Sequence, residues 1–176
     1  PSRAVMPNSR MPRAASAFPG QMVRFSSATR DGGKIVAAVY SDSNPGELYL
    51  YDRSTGKARF LMNSRQWLDK EQMASVKPFS FTARDGQRIY GYLTVPKGSS
   101  GKNLPLIVNP HGGPIGPRDD WAFNWETQLL ASRGYAVLQV NYRGSGGYGK
   151  GFEDMGYGQW AQGIMNDIID GTHHAI

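Results

Sequence analysis

The chain has 176 residues, with 20 Lys+Arg against 14 Asp+Glu for a net charge of +6, and 39% of its residues are hydrophobic. That length and apolar content suit an ordinary domain with a real core and exclude a wholly disordered chain. Cysteine is absent, which removes disulfide scaffolds, thiolate metal sites and cysteine nucleophiles and leaves the redox compartment open. No apolar run approaches the ~18 residues of a spanning helix, and the N-terminus lacks the apolar stretch of a signal peptide, so the reading is of a soluble chain with no membrane partner.

The charge excess is local. Arg3, Arg10, Arg13, Arg24 and Arg30 fall among the first 30 residues, which hold no acid. A nucleic-acid surface would spread its cations along a face with interleaved aromatics. Here they sit largely in a Pro-, Ser- and Met-rich lead-in, residues 1–20, read as a disordered or wrapping arm with no nucleic-acid partner.

From residue 21 the pattern becomes short alternating segments closed by turn residues. Residues 22–29 (MVRFSSAT), 34–41 (KIVAAVYS), 47–52 (ELYLYD) and 58–62 (ARFLM) predict four strands joined by tight turns. Four such strands in about 40 residues fit one β-propeller blade, the alternative being an isolated antiparallel meander. Residues 63–76 (NSRQWLDKEQMASV) form a polar, helix-permissive connection, and a domain boundary is placed near residue 75.

Two further strands, 78–83 and 88–95, flank Asp85-Gly86, a strong hairpin signal. Residues 104–109 (LPLIVN) form a short apolar run of the kind buried on both faces of a parallel sheet. Residues 121–133 (WAFNWETQLLASR) carry apolar groups at helical spacing, with Asp119 or Asp120 as N-cap and Gly134 as stop. Residues 135–140 (YAVLQV) complete a βαβ unit, so the second half is α/β with a parallel component. A glycine-rich loop follows over residues 144–158, and a helix over 159–176 is expected to be cut off before any further strand.

Chemistry concentrates in two loops. Asn109-Pro110-His111-Gly112-Gly113-Pro114 follows a strand end, where open α/β sheets place their reacting groups. An HGG-type loop there supplies oxyanion-hole amides in α/β-hydrolases; a plain β-turn is the alternative. The second loop is Asn141-Tyr142-Arg143-Gly144-Ser145-Gly146-Gly147-Tyr148-Gly149. Its G-x-G-x-x-G spacing lacks the strand order and the downstream acid of a dinucleotide site, so it reads as an active-site border with Tyr142 and Arg143 orienting it or touching substrate. No serine has the Gly-x-Ser-x-Gly frame of a nucleophile elbow. His173 and His174 are neighbours pointing about 100° apart on a helix, a poor metal clamp. A triad of Ser145, His111 and Asp119 or Asp120 finds no support in their placement. The sequence calls for no cofactor and no metal.

HGGP after an apolar strand, NYRGSGGYG after the next, then GFEDMGYGQW and NDIIDG resemble the prolyl oligopeptidase family of serine peptidases, nearest its acylaminoacyl-peptidase or dipeptidyl-peptidase-like branch. The resemblance extends to KPFSFTARDGQRIYGYLTVP and GELYLYDRSTGKARFL and so spans about residues 21–176. It implies an α/β fold in which one propeller blade (21–75, with its linker) precedes the N-terminal half of an α/β-hydrolase domain (76–176). It also implies hydrolysis of short peptides through an acyl-enzyme. Gly112 and Gly113 match the oxyanion amides, with Gly113 favoured; His111 matches a loop-shaping position; Asn141, Tyr142, Arg143 and Gly144 match loop support. The triad Ser, Asp and His would lie beyond this sequence, so the chain alone is expected to be inactive. Its partners would be a peptide substrate and either the missing C-terminal half or a second copy. An α/β-hydrolase esterase or lipase and a non-catalytic interaction fragment are the alternatives.

Overall fold

Alternation of apolar and polar residues builds the first sheet. In the computed structural model, which describes residues 17–176, the strands are β1 (Met22–Ala28), β2 (Lys34–Tyr40), β3 (Glu47–Asp52) and β4 (Lys57–Asn63). They pair antiparallel in the order β1-β2-β3-β4. Most of the basic lead-in, including Arg3, Arg10 and Arg13, lies outside the described residues. On β2 the odd positions Ile35, Ala37 and Val39 are buried while their neighbours are not, the period-2 signature of a one-sided sheet. The turns are fixed by short side chains folding back on their own backbone. Asp31 accepts from the Gly33 amide at 3.0 Å, and Asp52 accepts from the Ser54 amide at 2.9 Å. The connection after β4 holds only a single 3-10 turn, Lys70–Gln72. Lys70 reaches back to Glu47 at 2.9 Å.

The chain divides into two compact units, Pro1–Glu71 and Gln72–Ile176. In the second, β5 (Ser75–Thr82) and β6 (Arg88–Val95) form the hairpin expected from Asp85-Gly86. The turn is closed by the Ala83 amide donating to the Gln87 carbonyl at 2.8 Å. β7 (Leu106–Val108), α1 (Trp125–Ser132) and β8 (Ala136–Asn141) are the βαβ unit, with β7 parallel to β8. The sheet order is β5-β6-β8-β7. α2 (Lys150–Asp154) interrupts the glycine-rich stretch, and α3 (Gly163–Ala175) follows. Phe81, Ala83, Ile89, Leu138, Val140, Tyr142, Phe152 and Ile164 form the core.

Three expectations change. β7 was expected to be buried on both faces, yet its residues are half-buried, because among the described residues it pairs only with β8; the fully buried strand is β8, held between β6 and β7. α1 begins at Trp125 and not near residue 121, and its cap is Asn124. The Asn124 Oδ1 accepts from the amides of Glu126 (2.9 Å) and Thr127 (3.2 Å), satisfying two donors that a helix start leaves orphaned. Asp119 is drawn instead into a polar network with β8. The apolar spacing also misassigned the buried face of α1: Trp125 and Leu129 are exposed, while Thr127, Gln128 and Ala131 are buried. Gln128 explains the inversion, since its side chain donates to the Ala74 carbonyl and accepts from the Ala74 amide, both at 2.8 Å, as a strand neighbour would.

Candidate active site

Two loops leave the C-terminal ends of the parallel strands β7 and β8, and they knit together backbone to backbone. The Gly116 amide donates to the Gly144 carbonyl at 2.9 Å, and the Gly146 amide donates to the Gly116 carbonyl at 3.1 Å. Gly116 and Ser145 form a parallel bridge. So close an approach requires glycine: a Cβ on Gly146 would run into the Gly116 carbonyl oxygen.

Within the first loop, Gly112 and Gly113 are exposed, and among the described residues neither amide donates to a protein acceptor. Gly113 has φ +148°, a conformation L side chains rarely adopt. Two adjacent amides, unpaired, exposed and at the end of a parallel strand, can receive a developing oxyanion. His111 supports them from beneath. One ring nitrogen, Nδ1, lies 2.8 Å from the Gly112 carbonyl, and the other, Nε2, lies 2.9 Å from Ser145 Oγ. A carbonyl can only accept, so Nδ1 carries a proton and donates to Gly112, while Nε2 and the Ser145 hydroxyl share the second hydrogen bond. The Tyr142 hydroxyl donates to the His111 carbonyl at 2.9 Å, and its ring stacks on the imidazole with centroids 4.4 Å apart.

Residues 121–176 match the prolyl oligopeptidase family. A dipeptidyl aminopeptidase BIII of Pseudoxanthomonas mexicana is 35% identical over 161 residues, covering 88% of this chain and 23% of that protein. A dipeptidyl peptidase family member 6 of Caenorhabditis elegans is 34% identical over 160 residues, covering 78% of this chain and 22% of that protein. Among solved structures, the Pyrococcus horikoshii acylaminoacyl peptidase superposes with a TM-score of 0.67 at 28% identity, over 88% of this chain and 24% of its own. The chain belongs to the prolyl oligopeptidase family. It spans less than a quarter of the length of the two curated relatives.

This prolyl oligopeptidase-family chain places the expected loop-support residues at definite tasks. Arg143 makes an ion pair at each end of its guanidinium: Nη2 to Asp167 Oδ1 and Nη1 to Asp85 Oδ2, both at 2.7 Å. The Asp167 hydrogen bonds, and then that of Asp85, raise the Arg143 pKa further above its already high ordinary value. With Nε, Nη1 and Nη2 each bonded to a carboxylate and its side chain 11% exposed, Arg143 ties the loop to Asp167 and Asp85. Asn141, fully buried, accepts from the Asp119 amide at 2.8 Å and donates to the Asp119 carbonyl and the Tyr148 hydroxyl. Gly144 supplies the carbonyl that meets Gly116.

Ser145 and His111 lie 34 residues apart with no local signal that they meet, but the fold joins them. Ser145 is fully buried, so the contact fastens two loops and does not present a nucleophile. From sequence Asp119 reads as a cap or an improvised triad member, and the structure gives it neither role's contacts. Its Oδ1 accepts from Gln139 at 2.7 Å, whereas Oδ2 is buried without a partner among the described residues. Burial raises the Asp119 pKa, partly offset by His111 and Gln139. Asp85 reads from sequence only as a turn residue, and nothing there gives Asp167 a partner. For Asp167 the available signal is an acid sharing a helical face with Ile164, Ile168 and Gly171, the kind of position that is buried only when paired. His173 and His174 are exposed, with the His174 ring against Phe81 at 5.6 Å.

Proposed function

We propose that the chain is the oxyanion-bearing part of a serine peptidase that hydrolyses short peptides through an acyl-enzyme. In this reading residues 21–75 are the last blade of a β-propeller with its linker, and residues 76–176 are the first half of an α/β-hydrolase domain. The observation that carries it is the exposed Gly112–Gly113 pair with free amides, braced by His111 at the end of a parallel strand. Peptide substrates are suggested by the relatives' names, dipeptidyl and acylaminoacyl peptidases among them. The nucleophile is expected in a Gly-x-Ser-x-Gly segment, which these 176 residues do not contain.

In the mechanism, the substrate carbonyl lies over residues 112–113, and negative charge grows on its oxygen as a serine attacks. The Gly113 amide donates to that oxygen, with Gly112 beside it. His111 keeps both amides oriented by donating from Nδ1 to the Gly112 carbonyl. Loss of one such donor costs about 10²–10³-fold in kcat, so Gly113→Ala, strained at φ +148°, should lower kcat toward that range while leaving KM near wild type. The class is tested by comparing peptide p-nitroanilides with acyl esters on the full-length protein. Turnover of the anilides supports a peptidase, and turnover of esters alone would replace it with an esterase.

A further inference from the structure

We propose that Asp167, on α3 and remote in sequence from both loops, is a positioning residue for the oxyanion amides. The inference rests on the oxyanion reading above and extends it to a residue outside the two loops. Asp167 is fully buried. Its Oδ2 accepts from both the backbone amide and Nε of Arg143, each at 2.9 Å, and its Oδ1 accepts from Nη2 at 2.7 Å. Three donors from one residue fix the Arg143 backbone and side chain together, the two-point geometry in which a guanidinium and a carboxylate bind most specifically.

The consequence runs along the chain in both directions from Arg143. One residue before it, the Tyr142 hydroxyl holds the His111 carbonyl; two residues after it, the Ser145 hydroxyl holds His111 Nε2. Between them, Gly144 accepts from Gly116 on the far side of the Gly112–Gly113 pair. Every one of these contacts ends on the oxyanion loop, and all radiate from the segment that Asp167 fixes. Asp170, one turn along the same helix, provides a built-in comparison. It pairs with Arg84 as tightly, at 2.6 Å, and also accepts from the Arg84 amide at 2.9 Å, but Arg84 lies in the β5–β6 turn, and among the described residues its side-chain hydrogen bonds all go to Asp170.

Asp167→Asn and Asp170→Asn in the full-length protein, assayed with a peptide p-nitroanilide and normalised by fluorophosphonate titration of active sites, separate positioning from stability. Displacement of reacting groups by about 1 Å costs on the order of 10²-fold, so Asp167→Asn is expected to lower kcat per titrated site about 10- to 100-fold with KM little changed. Asp170→Asn should leave kcat per site at the wild-type value even where its Tm falls. Equal kcat in the two variants would overturn the proposal. Amide exchange on the full-length protein provides a readout free of catalysis: Asp167→Asn should speed exchange at Gly116 and Gly146 by about tenfold, and Asp170→Asn should not. Unchanged exchange in Asp167→Asn overturns the proposal. Should Asp167→Asn not fold, Arg143→Lys, which keeps the charge and loses the fork, is expected to show the same two effects, and its failure to do so overturns the proposal equally. A wild-type protein that neither labels nor turns over peptide would instead defeat the peptidase reading, leaving the exchange result to decide the link between α3 and the loops.

Discussion

Gly146 and Asp119 show two different ways in which a single residue constrains the loops. At Gly146 the constraint is steric, because a methyl group would overlap the Gly116 carbonyl oxygen and a backbone must move. Forcing atoms into a packed site costs about 1–3 kcal/mol, so Gly146→Ala should lower the unfolding free energy of the 176-residue chain by that amount in denaturant titration. At Asp119 the constraint is electrostatic. Its folded pKa is raised by burial, so the charged form is disfavoured in the folded state. The resulting penalty is absent below the ordinary carboxylate value of about 3.9, grows as pH rises above it, and is complete once pH passes the raised folded value. Asp119→Asn should therefore gain stability relative to wild type between pH 4 and pH 7, read as a Tm difference that grows with pH; a pH-independent difference would contradict the assignment.

At the scale of elements, α1 depends on a cap that its apolar spacing hid. Replacing Asn124 by Ala should cost about 1 kcal/mol, visible as lower denaturant resistance together with faster exchange of the Glu126 and Thr127 amides. The β5–β6 turn and α3 are joined by acids of opposite behaviour to Asp119. Arg84 holds the Asp170 carboxyl below its ordinary range, and Arg143 does the same for Asp85. For depressed carboxyls the stabilisation is fully present above the unfolded pKa and is lost as pH falls through the folded one. The Tm gap between wild type and Asp170→Asn should accordingly be widest near pH 6 and close below the ordinary carboxylate range. Strands, the hairpin and the βαβ order were legible because alternation, Asp-Gly and buried apolar runs are local signals. The cap at Asn124 and the buried face of α1 were not, since Gln128 is buried by a pairing with Ala74 that lies 54 residues away.

The charge of the whole molecule, concentrated in the first 30 residues, says little about function, whereas the order of its motifs says much. HGGP and NYRGSGGYG located both loops from sequence alone, yet the contacts that make them one site, Ser145 to His111 and Arg143 to Asp167, join residues 34 and 24 positions apart. No spacing rule reaches that far, and only the fold shows His111 bracing two glycines whose amides remain free. The central claim is that these amides serve a serine nucleophile carried outside the 176 residues. Fluorophosphonate labelling of the full-length protein, followed by peptide mapping of the adduct, tests it most directly. The account predicts one labelled serine within Gly-x-Ser-x-Gly and no adduct on the 176-residue chain alone; an adduct on Ser145 or any other serine of this chain, or no adduct anywhere, would contradict it.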